Sequence, residues 1–458
     1  MADARGSIHG EWSSGLVFIL AATGSAVGLG NLWRFPYLVG ENGGAAFVII
    51  YLLCILLVGL PIMIAEITIG RQGRRSPINS LLAVSRDEGR SRYWSLLGWL
   101  GVAAGFLILS FYSVVGGWAL FYVLQSLLGS FQGITADAAG ELFETFVGSP
   151  VDVLIWHTLF MVILFGIIAA GVRKGLQRAV TLLMPLLFVI LLLLVGYGMA
   201  ASGAFQEAVA FMFQPDFSAV EPGTVLTAMG QAFFTLSLGM GAIMVYGAYL
   251  PRNESIPRSA GWIVGMDTGT ALLAGLAIFP IVFAAGMEPG EGGPGLVFVT
   301  LPIVFGEISF GFALGILFFV LLSVAAVTSG MSLLEPATAY LTEQGGSRIR
   351  AAAIIAGLIW LLGIACGLSL NVWGDFHLLP GMNVFDALEF VSNDIMLPLG
   401  GLLIAIFVGW QMRVHSVARE LGLSDESTGF QLWLFVTRFV APAAVILVFL
   451  NALGLFGG

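Results

Sequence analysis

Apolar residues in this chain form runs long enough to cross a lipid bilayer, and short polar connections separate the runs. A membrane-spanning helix needs about 20 apolar residues, and by that length the pattern predicts eleven segments. Their approximate ranges are 13–38, 43–70, 95–128, 152–170, 176–202, 224–250, 259–286, 307–343, 349–370, 383–411 and 431–456. We therefore expect an all-α polytopic membrane protein in which residues 1–458 form a single transmembrane domain.

Two of these segments are interrupted near their middle by glycine and small polar residues. Segment 1 contains the run Gly24-Ser25-Ala26-Val27-Gly28-Leu29-Gly30-Asn31, and segment 6 contains the run Ser237-Leu238-Gly239-Met240-Gly241. Each glycine weakens a helix by roughly 1 kcal/mol relative to alanine. Irregular backbone is tolerated at membrane depth only where it is buried in protein or lines a cavity. The glycines could instead serve close helix packing.

The spacing of the two interruptions predicts an internal repeat. Five spans separate them, so segments 1–5 (13–202) and segments 6–10 (224–411) would enter the membrane from opposite faces as inverted repeats, and segment 11 (431–456) lies outside the repeat. Paired interruptions at matching positions in two inverted halves are typical of the central site of a secondary transporter. We therefore expect a binding site where the two interruptions meet.

The composition agrees with a membrane protein, because 58% of the residues are hydrophobic and only 10% are charged, against about 25% in soluble domains. Seventeen of the eighteen Lys and Arg residues fall on one side of the predicted spans, and Arg34 is the exception. Short cytoplasmic loops are enriched in Lys and Arg. This predicts a cytoplasmic N-terminus and an extracytoplasmic C-terminus. The one Asn-x-Ser/Thr sequon, Asn253-Glu254-Ser255, then lies in the cytoplasm and gives no sign of a eukaryotic surface protein, so we expect a prokaryotic inner membrane.

Motifs of other protein classes are missing from the sequence. The two cysteines, Cys54 and Cys366, lie in apolar segments, which favours packing over a disulfide or a metal site. No histidine lies near a second metal ligand at H-E-x-x-H spacing, and no Gly-x-Ser-x-Gly turn occurs. We therefore expect neither an enzyme nor a nucleic-acid partner, and the oligomeric state stays open. An ion channel is a remote alternative, because broken helices describe a closed binding site better than a continuous pore.

Several motifs together resemble the neurotransmitter:sodium symporter family. They are the run from Gly24 to Pro36, the turn Glu41-Asn42-Gly43-Gly44, the stretch Phe234-Thr235-Leu236-Ser237-Leu238-Gly239 and the pair Thr328-Ser329. The similarity runs from Trp12 to segment 11 and is closest to bacterial hydrophobic amino-acid transporters, although relatives mostly have a twelfth segment. The resemblance implies a bacterial leucine-transporter-like fold and a sodium-coupled symporter that imports neutral, aliphatic or aromatic L-amino acids by alternating access. A small osmolyte or amine such as taurine or betaine is the alternative cargo.

The resemblance also implies two sodium ions. The first would bind the carbonyl of Ala26, the side chains of Asn31 and Thr235, the substrate carboxylate and a segment 7 residue. Alignment on Gly275 puts Asp267 at that last position, where many relatives have Asn. A buried acid in an apolar segment is costly and should be paired or functional, so a structural carboxylate is the alternative.

The second implied sodium site involves segments 1 and 8. It consists of the carbonyls of Gly24, Val27 and Ala325 and the hydroxyls of Thr328 and Ser329. On its own, a Thr-Ser pair in a helix usually bonds back to the helix or packs.

Chloride dependence is disfavoured by the same alignment. Tyr51, Gln231 and Thr235 match part of the chloride cluster of chloride-dependent relatives. Asp267, however, puts a fixed negative charge where the anion would help to balance sodium. We therefore expect chloride-independent transport.

The resemblance assigns the substrate carboxylate to the backbone of the Leu29-Gly30 region and to the hydroxyl of Tyr112. The other pocket positions are uncharged: Ala26, Gly28, Ile108, Phe234, Ser237, Met240, Ser329 and Leu333. Because burying an unpaired charge is costly, acidic and basic amino acids are disfavoured. The flexible Met240 and the missing side chain of Gly330 predict a roomy cavity.

An outer gate is expected from Arg34, which should pair with Glu389 in segment 10. Asp386 is the rival partner. Phe234 would close over the substrate.

An inner gate is expected from His9 and Glu343. Relatives typically have Arg at the position of His9. Because histidine titrates near neutrality, this pair predicts pH-sensitive inward opening. The alternatives are that Arg5 takes this place or that His9 is solvated and unpaired.

Three further acids lie in apolar segments: Glu66, Glu335 and Asp394. We expect them to be buried and to accept hydrogen bonds from backbone N–H groups freed by the interruptions. Glu66 and Glu335 are also candidates for proton countertransport.

Overall fold

Long apolar helices make up the membrane-crossing part of the protein. The computed structural model describes residues 8–287 and 296–452, and within these ranges it contains no β-strand. In this described part of the chain, nine helices are continuous and are long and apolar enough to cross a membrane: α2 Ala45–Gly73, α3 Arg92–Leu127, α4 Pro150–Ala169, α5 Val172–Ala201, α7 Ile256–Ala284, α8 Gly311–Glu343, α9 Arg348–Leu368, α10 Val384–Gln411 and α11 Thr428–Leu450. Two interrupted spans complete the predicted set of eleven, and the all-α fold is confirmed.

The first span is interrupted over three residues. Helix α1a is Gly15–Ala26. Ser14 caps its N-terminus, because the Ser14 hydroxyl accepts a hydrogen bond from the N–H of Val17, and the helix ends where Val27 adopts an extended conformation. Helix α1b, Gly30–Glu41, continues at 54° to it and starts with a wide π-helical turn. The sequence predicted an interruption over residues 24–31, but Gly24 to Ala26 remain helical.

The sixth span is interrupted between Thr235 and Ala242. Helix α6a is Pro222–Thr235 and helix α6b is Ala242–Ala248. Gly239 and Gly241 have positive φ angles of 80° and 74°, and Ser237 has a φ of 54°. Glycine reaches this left-handed region without strain, whereas serine does so at a cost. The glycines predicted to interrupt this helix therefore do so through their backbone conformation.

Burial separates inner helices from outer ones. In α3 and α8, 72% of the most apolar 18-residue stretch is buried inside the protein, whereas in α4 and α11 only 33% of that stretch is buried. The outer helices therefore present most of their apolar side chains to lipid, and the core lies where α1, α3, α6 and α8 meet. The two cysteines are free and buried, as expected for packing residues.

Glycines let α1 approach α8 closely. A Cβ atom added to Gly24 would lie 3.3 Å from Cβ of Thr328, and one added to Gly28 would lie 3.0 Å from Cβ of Ser329. Both distances are shorter than ordinary van der Waals contact. The interrupted helix is thereby pressed against α8 at the depth of the predicted site.

Two ends of the helix bundle differ in charge. We call the end that carries His9, Arg74, Arg348 and Arg413 the basic face, and the other end the opposite face. Ion pairs join elements of the basic face, among them Arg74 with Glu11 and Arg413 with Glu88, and in each of these two pairs one side chain is buried.

The eighth span begins later than the sequence predicted. Segment 8 was predicted to begin at 307, but a separate short helix, Thr300–Glu307, precedes α8. The predicted end of segment 11 at 456 and the predicted alternative role of Arg5 lie outside the described residues.

Candidate transport site

The two interruptions meet at the centre of the protein. The carbonyl of Ser25 accepts hydrogen bonds from the hydroxyls of Ser237 (2.9 Å) and Ser329 (3.1 Å). The carbonyl of Gly30 accepts one from Nε2 of Gln231 at 2.9 Å. Side chains of α6 and α8 thus satisfy carbonyls of the interrupted first span, which a membrane interior requires.

All eleven predicted substrate residues line one small cavity between these interruptions. They are Ala26, Gly28, Leu29, Gly30, Ile108, Tyr112, Phe234, Ser237, Met240, Ser329 and Leu333. Not one of the eleven carries a charge. The cavity measures about 20 Å³, which is enough for one water molecule. A larger occupant would require its walls to move.

Tyr112 and the backbone of Leu29 form the polar end of this cavity. The N–H of Leu29 donates to the hydroxyl of Tyr112 at 3.4 Å, and Tyr112 is only 4% exposed. A Cβ atom added to Gly28 would lie 3.0 Å from the Tyr112 hydroxyl oxygen. Only glycine therefore leaves room for this hydroxyl beside the interrupted backbone.

Gly330 does not enlarge the cavity, and that prediction was wrong. A Cβ atom added to Gly330 would lie 2.9 Å from Cδ1 of Leu164 and 3.4 Å from Cε1 of Phe160. Gly330 therefore faces α4, and its missing side chain allows α4 to pack against α8. Helical spacing alone did not reveal which neighbour the glycine faces.

The side chains of the first predicted sodium site are in mutual contact. Asp267 is fully buried and accepts hydrogen bonds from Nδ2 of Asn31 at 2.8 Å and from Oγ1 of Thr235 at 3.1 and 3.2 Å. Oδ1 of Asn31 accepts the N–H of Gly28 at 3.1 Å. The structure therefore brings together one carboxylate, one amide and one hydroxyl beside the substrate cavity, which are oxygen donors that suit a hard cation.

The residues of the second predicted sodium site also lie together. Oγ1 of Thr328 donates to the carbonyl of Ala325 at 3.1 Å, in the helix-bonding manner that the sequence left open. Gly24 packs against Thr328, and Val27 follows the last residue of α1a. The end of α1a and the hydroxyl-bearing residues of α8 thus lie against each other across one helix contact.

One residue of the predicted chloride cluster retains an unused polar atom. Among the described residues, Oε1 of Gln231 has no hydrogen-bond partner, and the side chains of Gln231 and Tyr51 are both buried. Thr235 bonds to Asp267. Thr235 therefore links the carboxylate of Asp267 to this cluster.

A vestibule of about 370 Å³ lies above Phe234, toward the opposite face. Arg34, Asp386 and Glu389 all line it, as does Phe234, which also lines the central cavity. The Arg34 guanidinium lies 5.1 Å from the centre of the Phe234 ring. Within the described ranges, no ion pair is formed between Arg34 and either predicted acid. Phe234 and Arg34 together separate the vestibule from the cavity.

The basic face is closed. Nε2 of His9 lies 2.9 Å from Oε1 of Glu343, and their side chains are 3% and 1% exposed. Trp12 is buried, with its indole N–H donating to the carbonyl of Tyr246 and its backbone N–H to that of Tyr249. The predicted contact between His9 and Glu343 is therefore present, and the alternative of a solvated His9 does not describe this structure.

The three further acids have different surroundings. Glu66 accepts the N–H of Gly239 at 2.5 Å, as expected for an acid beside an interrupted helix. Glu335 instead pairs with Arg348 and accepts the hydroxyl of Tyr249 at 2.7 Å, so its predicted backbone pairing was wrong. Asp394 is exposed, contrary to the prediction that it is buried.

Sequence reasoning missed Tyr249 and the donors around Glu343. Tyr249 lies one residue after α6b, and the chain pattern offers no sign that its hydroxyl reaches α8. Ser76 and Asn79 donate to Glu343 from the connection after α2. Ordinary polar residues in a connecting segment carry no local signal of such a contact.

Comparison with known proteins agrees with this geometry. The model of the sodium:neurotransmitter symporter family matches residues 9–134 and 147–456. YhdH, a sodium-dependent transporter of Bacillus subtilis, is 40% identical over 448 residues, which cover 97% of this chain and 98% of YhdH. A sodium-dependent transporter of Haemophilus influenzae is 36% identical over 451 residues, which cover 96% and 98% of the two chains.

A solved structure is also similar over nearly the whole chain. The crystal structure of MhsT in complex with L-phenylalanine matches with a TM-score of 0.89 and 46% identity, covering 97% of this chain and 99% of MhsT. These proteins are transporters, and the match includes both interrupted spans. The chain therefore belongs to the sodium:neurotransmitter symporter family and is a multi-pass membrane protein of sodium-coupled transport.

Proposed function

We propose that this protein imports neutral, hydrophobic L-amino acids, aliphatic or aromatic, together with two sodium ions by alternating access. The observation that carries this proposal is the cavity of eleven uncharged residues beside the Asp267 cluster. The basic face would be cytoplasmic, in keeping with the enrichment of Arg and Lys in cytoplasmic loops, and the membrane would be a prokaryotic inner membrane.

The chemistry of the cavity supports an amino-acid substrate. Its polar end offers the Tyr112 hydroxyl and interrupted backbone, and groups of this kind bind a carboxylate. Its other walls are formed by apolar side chains such as those of Ile108, Met240 and Leu333. A charged side chain would find no partner among the lining residues and would be costly to bury. MhsT, whose solved structure contains L-phenylalanine, is similar to this chain.

Two cation positions follow from the oxygen donors. The first would use the Ala26 carbonyl, Asn31, Thr235, Asp267 and the substrate carboxylate, which would couple the ion directly to the substrate. The second would use the carbonyls of Gly24, Val27 and Ala325 and the hydroxyls of Thr328 and Ser329. Hard cations prefer such oxygen ligands.

The fixed charge of Asp267 supports chloride independence. A buried carboxylate balances the first sodium ion without a mobile anion. Uptake in gluconate medium should therefore equal uptake in chloride medium. Loss of sodium-driven uptake without chloride would contradict this part of the proposal.

The arrangement of the cavities supports alternating access. The vestibule reaches Phe234 from one side, while His9, Glu343 and Trp12 close the other. A substrate would need Phe234 to swing away, after which Arg34 could approach Glu389 or Asp386 as the outer gate closes. The ion-channel alternative would require a continuous polar pore, and saturable uptake would separate the two.

Thermal stabilisation of the purified protein tests the substrate class. A ligand stabilises in proportion to ln(1 + [L]/Kd), so leucine, valine, phenylalanine and tryptophan should raise Tm in sodium and much less in potassium. Glutamate and lysine should have no effect. If none of the hydrophobic amino acids stabilised the protein in sodium but taurine or betaine did, the cargo assignment would be wrong.

A matched pair of tyrosine variants in α3 tests the carboxylate position. Tyr112→Phe removes the hydroxyl at the cavity and should weaken substrate binding about tenfold, as expected for loss of one hydrogen bond to a charged group. Tyr122→Phe removes a buried hydroxyl that has no partner among the described residues, and it should leave binding unchanged. Equal binding by both variants would remove Tyr112 from the site.

A further inference from the structure

The contact between His9 and Glu343 holds the N-terminal segment to α8 at the basic face. Both side chains are almost completely buried, and Nε2 of His9 lies 2.9 Å from Oε1 of Glu343. Glu343 is the last residue of α8, and His9 precedes α1a by a few residues. A buried titratable group therefore joins an end of the interrupted first span to α8.

Glu343 is arranged as an acceptor. Besides His9, it accepts the backbone N–H and the hydroxyl of Ser76, both at 2.6 Å, and the amide of Asn79 at 2.5 Å. Groups that donate to a carboxylate favour its ionised form. Glu343 is thus held as an anion by fixed neutral donors, and His9 is the one partner among them whose charge can change.

Within the described ranges, few other charges surround His9. From α6, Tyr249 faces the imidazole with ring centres 5.8 Å apart, and the hydroxyl of Tyr249 is bound by Glu335, which Arg348 neutralises. From the N-terminal segment, Glu11 pairs with Arg74. Among the described residues, the other nearby acids are therefore already paired with arginines, and Glu343 is the anion that the imidazole contacts.

We propose that the His9–Glu343 pair is a pH-sensitive latch, which holds the basic face closed when His9 is protonated and releases it more readily when His9 is neutral. This inference rests on the proposed function, since the latch would regulate opening of the transport site toward the cytoplasm.

The direction follows from the chemistry of the pair. A histidine changes its charge between about pH 5 and 8. The protonated imidazole and the ionised carboxylate form an ion pair as well as a hydrogen bond, and a buried site strengthens the attraction between opposite charges. A neutral imidazole loses this attraction and keeps only the hydrogen bond that its N–H donates in one tautomer. Raising the pH on the basic face should therefore favour the open state on that side.

Opening can be measured with a cysteine at position 339. Ala339 is fully buried in α8 and lies seven residues after Ser332 and four before Glu343, so the three share one face of the helix. The native cysteines are buried. In proteoliposomes of known orientation, a membrane-impermeant thiol reagent on the basic side should label Ala339→Cys faster as the pH on that side rises. The rate at which the same reagent labels free cysteine at each pH corrects for the reagent's own pH dependence.

Three variants distinguish the latch from other effects. His9→Arg keeps the positive charge, so its corrected labelling should stay slow and flat between about pH 6 and 8. Glu343→Gln removes the anion, so its labelling should stay at the fast level, at least about threefold above His9→Arg. His415→Arg removes an exposed histidine of the same face. Its labelling profile should match that of the parent protein, because the His9–Glu343 pair is intact.

The outcomes separate this inference from the proposed function. The expected result is a labelling rate and a sodium-driven uptake rate that both vary with internal pH in the parent protein and not in His9→Arg. Identical profiles in the parent protein and His9→Arg would overturn the latch while leaving uptake at fixed pH intact. A flat profile in His415→Arg would also overturn it. Absence of sodium-driven uptake at every pH would instead refute the proposed function, and the labelling profile would still report on the latch.

Discussion

Replacing Asp267 with asparagine tests the proposed sodium coupling directly. Asp267 is fully buried and accepts bonds from Asn31 at 2.8 Å and Thr235 at 3.1 Å. Asparagine has the same shape: its oxygen can still accept from Asn31, and its amino group can donate to the Thr235 hydroxyl, which can also accept. The variant should therefore fold, and without sodium its Tm should equal or exceed that of the parent, because a buried charge has been removed.

The expected loss is in sodium affinity. A unit negative charge about 4 Å from an ion contributes roughly 4 kcal/mol at an effective dielectric constant of about 20. Part of this is offset because the amide oxygen remains a ligand. We therefore expect sodium to bind between about tenfold and several hundredfold more weakly, which corresponds to about 1.4 to 4 kcal/mol.

The assay is the rise of Tm with sodium concentration in purified protein, followed by uptake at each sodium concentration. Glu88→Gln is the matched control, since it removes one carboxylate from a connection at the basic face, outside the proposed site. Chloride should partly restore uptake by Asp267→Asn by supplying the missing negative charge. Sodium affinity within about twofold of the parent would refute the assignment of Asp267 as a ligand.

Three further predictions concern packing and stability. Gly30→Ala would place a Cβ atom 2.9 Å from the Phe234 ring, so uptake should fall by at least about tenfold while sodium still raises Tm. Tyr249→Phe removes a hydroxyl bound to a buried acid at 2.7 Å and should destabilise by about 1–3 kcal/mol; Tyr246→Phe removes a hydroxyl without a described partner and should leave Tm unchanged. Burial would raise the pKa of Glu88, but hydrogen bonds from Ser416 and Arg413 outweigh it and hold that pKa below its ordinary 4.5. The stabilisation by Glu88 should therefore be fully present above the ordinary pKa of 4.5 and be lost as the pH falls through the lowered pKa. Glu88→Gln should lower Tm at neutral pH but not in acid.

The sequence determined the architecture because its signals are local and strong. Eleven apolar runs predict eleven spans, since a bilayer of fixed thickness requires that length. Interruptions at 24–31 and at Ser237–Gly241 were predicted from glycines and small polar residues, because the conformation of a glycine-rich stretch is set largely by the stretch itself. The structure narrows the first of them to Val27–Leu29. The motifs around them also identified the residues that line the cavity.

Tertiary structure alone decided which groups meet. Gly330 looked like part of the cavity, yet it faces Leu164 and Phe160, because a residue's neighbours depend on helix rotation and on the helix packed against it. Likewise, Glu335 pairs with Arg348 and Tyr249 rather than with interrupted backbone. The contact of His9 with Glu343 joins residues 334 positions apart. Local pattern can supply both partners of such a contact, but only the packing of the helices sets the distance between them.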